Sequence, residues 1–175
     1  MIGRVLRLAF GVAVVAAIVD AYLARRSGGR PVGPIRSTVE IAAPIDAVWA
    51  VLSDVPRQPE WMADLKAVRL LTPPPLGAGT RAEGTVRIMG ITVRDPITIT
   101  AFDPPHRFAI RHEGLFTGAG VITLEPTADA TGTRVTWDET LLAPVVPHLA
   151  GALGRPVLAT VFQNDLHNLR AMLED

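Results

Sequence analysis

The 175-residue chain is long enough for one domain with a substantial core. Its 17 basic and 17 acidic residues cancel, and no basic tract stands out, which argues against a nucleic-acid binder. The absence of cysteine excludes disulfides, thiolate metal sites and cysteine nucleophiles.

Leu8 to Val19 is an unbroken apolar run, and Ala21 to Ala24 extend it with only Asp20 interrupting. A membrane span needs roughly 20 mostly apolar residues, so the whole stretch is long enough only if Asp20 is tolerated near one end. An uncleaved membrane anchor over residues 1–26 fits better than a signal peptide cut after Ala21, because Asp20 and the Arg25-Arg26 pair disfavour cleavage there. A hydrophobic helix packed on the domain is the third reading. Arginines flank both sides of the run, with a slight excess after it, which favours a cytoplasmic domain while leaving the side open. Residues 27–34, SGGRPVGP, read as a flexible linker, and residues 35–175 as the domain proper.

Ile35 to Ala42 alternates apolar and polar residues and reads as a strand. Pro44 opens a short helix with Val48, Val51 and Leu52 inward, and Pro56 to Met62 reads as a second short helix or turn around Trp61. Six strand-like runs follow, at Ala67–Leu71, Thr80–Met89, Ile91–Phe102, Arg107–Glu113, Ala119–Glu125 and Thr133–Leu142. The short turn-rich gaps between them suggest an antiparallel meander. Alternation assigns one face to Ala82, Gly84, Val86 and Ile88, to Ile97, Ile99 and Ala101, to Phe108 and Ile110, to Ile122 and Leu124, and to Val135, Trp137 and Leu141. That face is apolar, and the opposite face is wet.

Pro156 to Glu174 is an amphipathic helix whose stripe is Leu158, Phe162, Leu166, Leu169 and Leu173. Proline suits its first turn. The stripe needs an apolar surface, and the sheet supplies one. The nearly uncharged stretch Leu141 to Gly154 is expected to pack as earlier turns of the same helix, kinked at Pro156. The competing reading makes it an apolar lid touching the bilayer.

Ala43-Pro44, Val48-Trp49, Asp54 and Pro59-Glu60-Trp61 resemble the opening of the START-like superfamily (SRPBCC), which includes birch-pollen-allergen-like and polyketide cyclase/dehydrase-like proteins. FDPPHRF and GTRVTW resemble a later turn and the last strand of the same family, so the resemblance spans Ile35 to Asp175. It implies an α+β helix-grip fold: a curved seven-stranded antiparallel sheet around a long C-terminal helix, here preceded by an N-terminal hydrophobic helix. It also implies a cavity between sheet and helix. Function within the superfamily ranges from lipid carriers and receptors to cyclases and co-chaperones, so the fold does not settle it.

Parity places two polar residues on the apolar face. His112 shares a face with Phe108 and Ile110, and Glu139 with Val135 and Trp137. A histidine and a carboxylate facing one cavity can orient a ligand or act as acid and base. Exposure of His112 at a strand end, or a bulge turning Glu139 outward, is the competing reading. The expected ligand-binding set is Trp61, Val86, Ile97, Ile99, Phe108, Ile110, His112, Ile122, Trp137, Glu139, Leu158 and Phe162. No metal or other cofactor is expected, since the histidines show no ligand spacing and no nucleotide-binding glycine motif occurs. The glycines of GAG and GLFTGAG are read as turn residues. These features predict carriage or sensing of a small hydrophobic ligand by a membrane-tethered domain, with a cyclase- or dehydratase-like enzyme in the same cavity as the alternative.

Overall fold

A computed structural model describes residues 2–28, 33–88 and 90–174. Most of the expected linker, residues 29–32, and the expected strand end Met89 lie outside the described residues. The chain begins with helix α1 (Ile2–Arg26). Strand β1 (Ile35–Ile41), helix α2 (Ile45–Leu52) and a 3-10 turn (Val55–Glu60) follow. Six consecutive strands come next: β2 (Leu65–Leu70), β3 (Arg81–Ile88), β4 (Ile91–Asp103), β5 (Arg107–Glu113), β6 (Thr117–Pro126) and β7 (Thr133–Leu142). Helix α3 (Pro147–Glu174) ends the chain.

The strands form one curved antiparallel sheet in the order β1-β7-β6-β5-β4-β3-β2. The meander from β2 to β7 follows from its short connections. β1 pairs with β7, so α2 and the 3-10 turn carry the chain from one sheet edge to the other. In β1 the alternation is strict, with Ile35, Ser37, Val39 and Ile41 buried between exposed neighbours. A bulge between Ile99 and Ala101 breaks the alternation of β4. It overturns the expected inward position of Ala101. Phe102 packs inward instead, edge-on to both Trp49 and Phe108.

α3 starts nine residues before the helix expected from Pro156, and Pro156 lies inside it. The segment after Leu141 therefore joins the helix from Pro147 onward, as the packing reading expects. The proline ring leaves the carbonyl of Ala152 without its usual donor. The C-terminal half of α3 buries Phe162, Leu166 and Leu169 against the sheet. Its polar residues tie down the sheet edge. The Gln163 amide accepts from the Thr38 N–H at 3.4 Å and donates to the Thr38 carbonyl at 3.1 Å, and Glu174 accepts from the Ala42 N–H at 2.7 Å. Edge groups of β1 that would otherwise be open to another strand are thereby occupied.

Candidate ligand cavity

The N-terminal half of α3 presents small residues that leave space over the sheet unfilled. Ala150, Gly151 and Gly154 face Gly84, Val86 and Ile110 across a cavity of about 330 Å³. That volume is at the small end of ligand pockets, which run ~300–1,000 Å³. Met62, Leu65, Val68, Ile97, Leu141, Leu158 and Phe162 complete most of the apolar wall. Phe162 leans on Trp137 at a ring separation of 4.8 Å and seals the deep end toward the packed core.

Apart from Gln58, Asp64 and Arg94, a polar cluster on the sheet interrupts this wall. His112 sits between two carboxylates, with Nδ1 at 2.7 Å from Asp95 Oδ2 and Nε2 at 3.1 Å from Glu139 Oε1. The second oxygen of Glu139 accepts from Trp137 Nε1–H at 3.0 Å. All four residues line the cavity. Glu139 is only 2% exposed, so its two hydrogen bonds are what make its burial tolerable.

The cluster exists because β6 withholds side chains. His112 pairs with Gly118, and Glu139 pairs with Gly120 on the other side of the same strand. The two polar side chains meet over these glycines. A Cβ at Gly120 would collide with Glu139 Oε2, and Gly118 adopts φ +146° with no room for a Cβ against the Thr140 carbonyl. These glycines belong to strand β6, which corrects their reading as turn residues.

Burial alone would push the His112 imidazolium toward losing its proton. The hydrogen bonds and charges of Asp95 and Glu139 outweigh that penalty and raise its pKa to about 10. At neutral pH the cluster therefore keeps its proton, and both ring nitrogens are occupied by the two carboxylates.

A second acidic site adjoins the cavity. Asp165, 1% exposed on α3, accepts from the Ala63 N–H at 2.8 Å, while its other oxygen meets no donor among the described residues and, when protonated, bonds to Asp64. Burial, and the neighbouring Asp64, raise its pKa to about 7 against the lowering effect of the Ala63 bond. Burial likewise raises the pKa of Asp64, which lines the cavity.

Residues 34–174 match the family described as polyketide cyclase/dehydrase and lipid transport. The chain belongs to this family. An uncharacterized protein of Mycobacterium tuberculosis is 31% identical over 140 residues, covering 77% of this chain and 81% of the relative. Among solved structures, a START superfamily protein from Mycobacterium smegmatis superposes with a TM-score of 0.66 at 17% identity, over 81% of this chain and 97% of that one. Ara h 8.0201 does so with a TM-score of 0.53 at 15% identity, over 78% and 97%. These likenesses establish the helix-grip fold.

In this polyketide cyclase/dehydrase and lipid transport fold, the cavity brings together Val86, Ile97, Ile110, His112, Trp137, Glu139, Leu158 and Phe162 from the set expected to bind ligand. Trp61, Ile99, Phe108 and Ile122 are absent from its wall and lie in the packed core. The deep part of the sheet is filled, so residues of correct parity there contact other side chains rather than space. Trp61, 6.3 Å from Trp137 and edge-on to it, is such a core residue. Asp95 was legible by parity with Ile97 and Ile99. Only the pairing of β4 with β5 shows that it meets His112.

The cavity mouth is apolar. Ile91, Leu115, Phe116 and Val157 line it and are exposed, and Leu153 and Val145 stand exposed on and beside the first turns of α3. α1 packs on the same end. Its half-buried face is Ala16, Asp20, Leu23, Ala24 and Ser27, a helical stripe, while the rest of Val5–Arg26 is exposed. This segment is long and apolar enough to cross a membrane. Asp20 Oδ1 accepts from the Leu149 N–H at 2.8 Å. Val146 supplies the carbonyl that starts α3 and Pro147 occupies its first turn, but valine cannot cap. Asp20 does so from the other helix.

Proposed function

We propose that the protein binds a small hydrophobic ligand, such as a lipid or polyketide, in the cavity between sheet and α3 while α1 holds it at a membrane. The observation that carries this reading is the apolar cavity with a single histidine–carboxylate cluster, the usual make-up of a small-molecule site. Family membership supports the ligand class. The expected experiment is organic extraction of full-length protein purified in nanodiscs, followed by mass spectrometry. Wild type yields a stoichiometric apolar compound, and Ile110→Trp, which fills the cavity, yields less than a tenth as much. Equal recovery from both proteins places the compound elsewhere and defeats the reading.

The membrane part of the proposal rests on α1 and the exposed apolar mouth. With the exposed N-terminal part of α1 inserted in the bilayer and its Ala16 to Ser27 stripe packed on the domain, the exposed Leu115, Phe116 and Leu153 face the membrane, and ligand exchanges between lipid and cavity without crossing water. The Asp20–Leu149 bond gives the one acidic residue of the apolar run a partner and fixes α1 to the start of α3. Asp20→Ala is expected to cost about 1 kcal/mol, the usual loss for a helix cap, and to speed amide exchange at Leu149 at least fivefold. Unchanged exchange at Leu149 would remove the capping role.

A second reading, a cyclase- or dehydratase-like enzyme, is favoured by the Asp95–His112–Glu139 cluster, which holds a proton between two bases inside a substrate-sized cavity. Undiminished conversion of a poly-β-ketone by a protein carrying both His112→Gln and Glu139→Gln would dispose of it.

A further inference from the structure

We propose that the cavity selects ligands whose polar end donates hydrogen bonds, a hydroxyl or ammonium on an apolar body, and rejects those that end in a carboxylate. The inference rests on the ligand-binding reading above and deepens it by assigning the chemistry of the ligand's polar end.

The argument begins with a proton count. Asp95, His112 and Glu139 are joined by two hydrogen bonds, each between a ring nitrogen and a carboxylate oxygen. For both bonds to form, two protons must lie along the pairs. Whether both sit on the ring, or one sits on a carboxylate, the three groups together carry one negative charge. The sign of the cluster is therefore independent of where its protons reside.

The acceptor inventory follows. Both nitrogens of His112 are engaged, and both oxygens of Glu139 are taken by His112 and Trp137. Asp95 Oδ2 is taken by His112. Asp95 Oδ1 has no hydrogen-bond donor among the described residues, and Asp95 lines the cavity. The vacant valence at the polar patch is thus an acceptor, and its surroundings are negative. An incoming hydroxyl or ammonium satisfies it. An incoming carboxylate brings a second set of acceptors and a like charge into an apolar space, where such repulsion is weakly screened.

Other charges on the wall do not reverse this. Asp64 lines the cavity and neighbours the buried Asp165, which adds acidity rather than relief. Arg94 is the remaining cation on the wall, and it is exposed at the solvent side. An exposed guanidinium is screened by water and contributes little.

The test uses full-length protein in phosphatidylcholine nanodiscs with 13C-labelled isoleucine methyls. The Ile97 and Ile110 signals report the cavity itself and ignore partition into lipid. Octan-1-ol, octylamine and octanoate are titrated at pH 7.5. The alcohol and amine are expected to bind at least tenfold tighter than octanoate, a difference of 1.4 kcal/mol or more. In Asp95→Asn the amide oxygen accepts from His112 Nδ1–H, so one negative charge is lost and the NH2 group takes the open position. It should shift the octanoate-to-octan-1-ol affinity ratio at least fivefold toward octanoate. Octanoate within threefold of octan-1-ol in the wild type overturns the inference, and so does a preference for the alcohol that Asp95→Asn leaves untouched. If Asp95→Asn does not fold, the wild-type ratio decides alone. If none of the three probes moves the methyl signals, the ligand-binding reading itself fails and this inference with it.

Discussion

Replacing Glu139 with alanine is expected to destabilise the fold by about 3–5 kcal/mol, the usual cost of removing one partner from a buried ion pair. In a domain of this size that corresponds to a fall in Tm of roughly 6–20 °C. The cost has two sources. Trp137 Nε1–H and His112 Nε2–H both lose their acceptor, and both groups are buried or nearly so. The His112 cation also loses one of the two charges that outweigh its burial. Gly120→Ala should produce a smaller version of the same defect, because the added methyl displaces the Glu139 carboxylate without deleting it.

The same cluster sets a pH dependence. His112 has a folded pKa of about 10, above the ordinary histidine value near 6.5. A raised folded pKa means the folded state holds the proton more tightly. Its stabilisation is complete below about pH 6.5 and is lost as pH rises through about 10. Urea unfolding at pH 6, 8 and 10 should therefore show wild type losing stability across this window and Glu139→Ala losing less. Parallel curves, or a loss in the variant below 1 kcal/mol, would mean that the three residues do not act as a unit.

Replacing Asp165 with asparagine is expected to stabilise the protein above neutral pH by about 2 kcal/mol, because the neutral amide removes a charge that burial and Asp64 disfavour. The Ala63 N–H keeps its acceptor in asparagine, and the new amide can donate toward Asp64 where the second oxygen of Asp165 now finds no donor. In wild type, Asp165 has a pKa of about 7 rather than the usual value near 4, with Asp64 opposing its ionisation and Lys66 favouring it. The stability this proton confers is present below about pH 4 and lost as pH rises through about 7. The gain from Asp165→Asn should accordingly be seen at pH 8 and vanish at pH 4. A variant no more stable than wild type at pH 8 would contradict the assignment.

Asp165 also shows what residue patterns conceal. By helical spacing it lies within the stripe of Phe162, Leu166 and Leu169, yet its charge excludes it from an apolar list. Periodicity identifies a buried face, and only the neighbours explain how a carboxylate survives on it. The meander of β2 to β7, the inward placement of His112 and Glu139, and the docking of α3 on the apolar face follow from alternation and from the turn residues, whereas the place of β1 beside β7 is implied only by the family resemblance. Asp95 has the correct parity, but its role depends on the β4–β5 register. The inward turn of Phe102 depends on a bulge at Thr100, where nothing in the local sequence marks an extra residue. The glycines at 118 and 120 resemble a turn in isolation. Their purpose, leaving space for two side chains to meet above a strand, exists only once β5 and β7 flank them.

The division of α3 into a packed half and a spaced half is legible in composition. Phe162, Leu166 and Leu169 fill the sheet, and Ala150, Gly151 and Gly154 cannot. Which sheet residues line space rather than core depends on where that change falls. Ile99, Phe108 and Ile122 meet the filled half. Ile97 and Ile110 meet the hollow one.

The central claim is that this hollow half admits an apolar molecule. Isotope-filtered NMR of full-length protein with 13C-labelled isoleucine and leucine methyls, saturated with unlabelled octan-1-ol, tests it most directly. Intermolecular NOEs to Ile97, Ile110 and Leu158, and none to Leu124 in the packed core, are the expected result. NOEs confined to α1, or none to the three cavity residues at saturation, would contradict it.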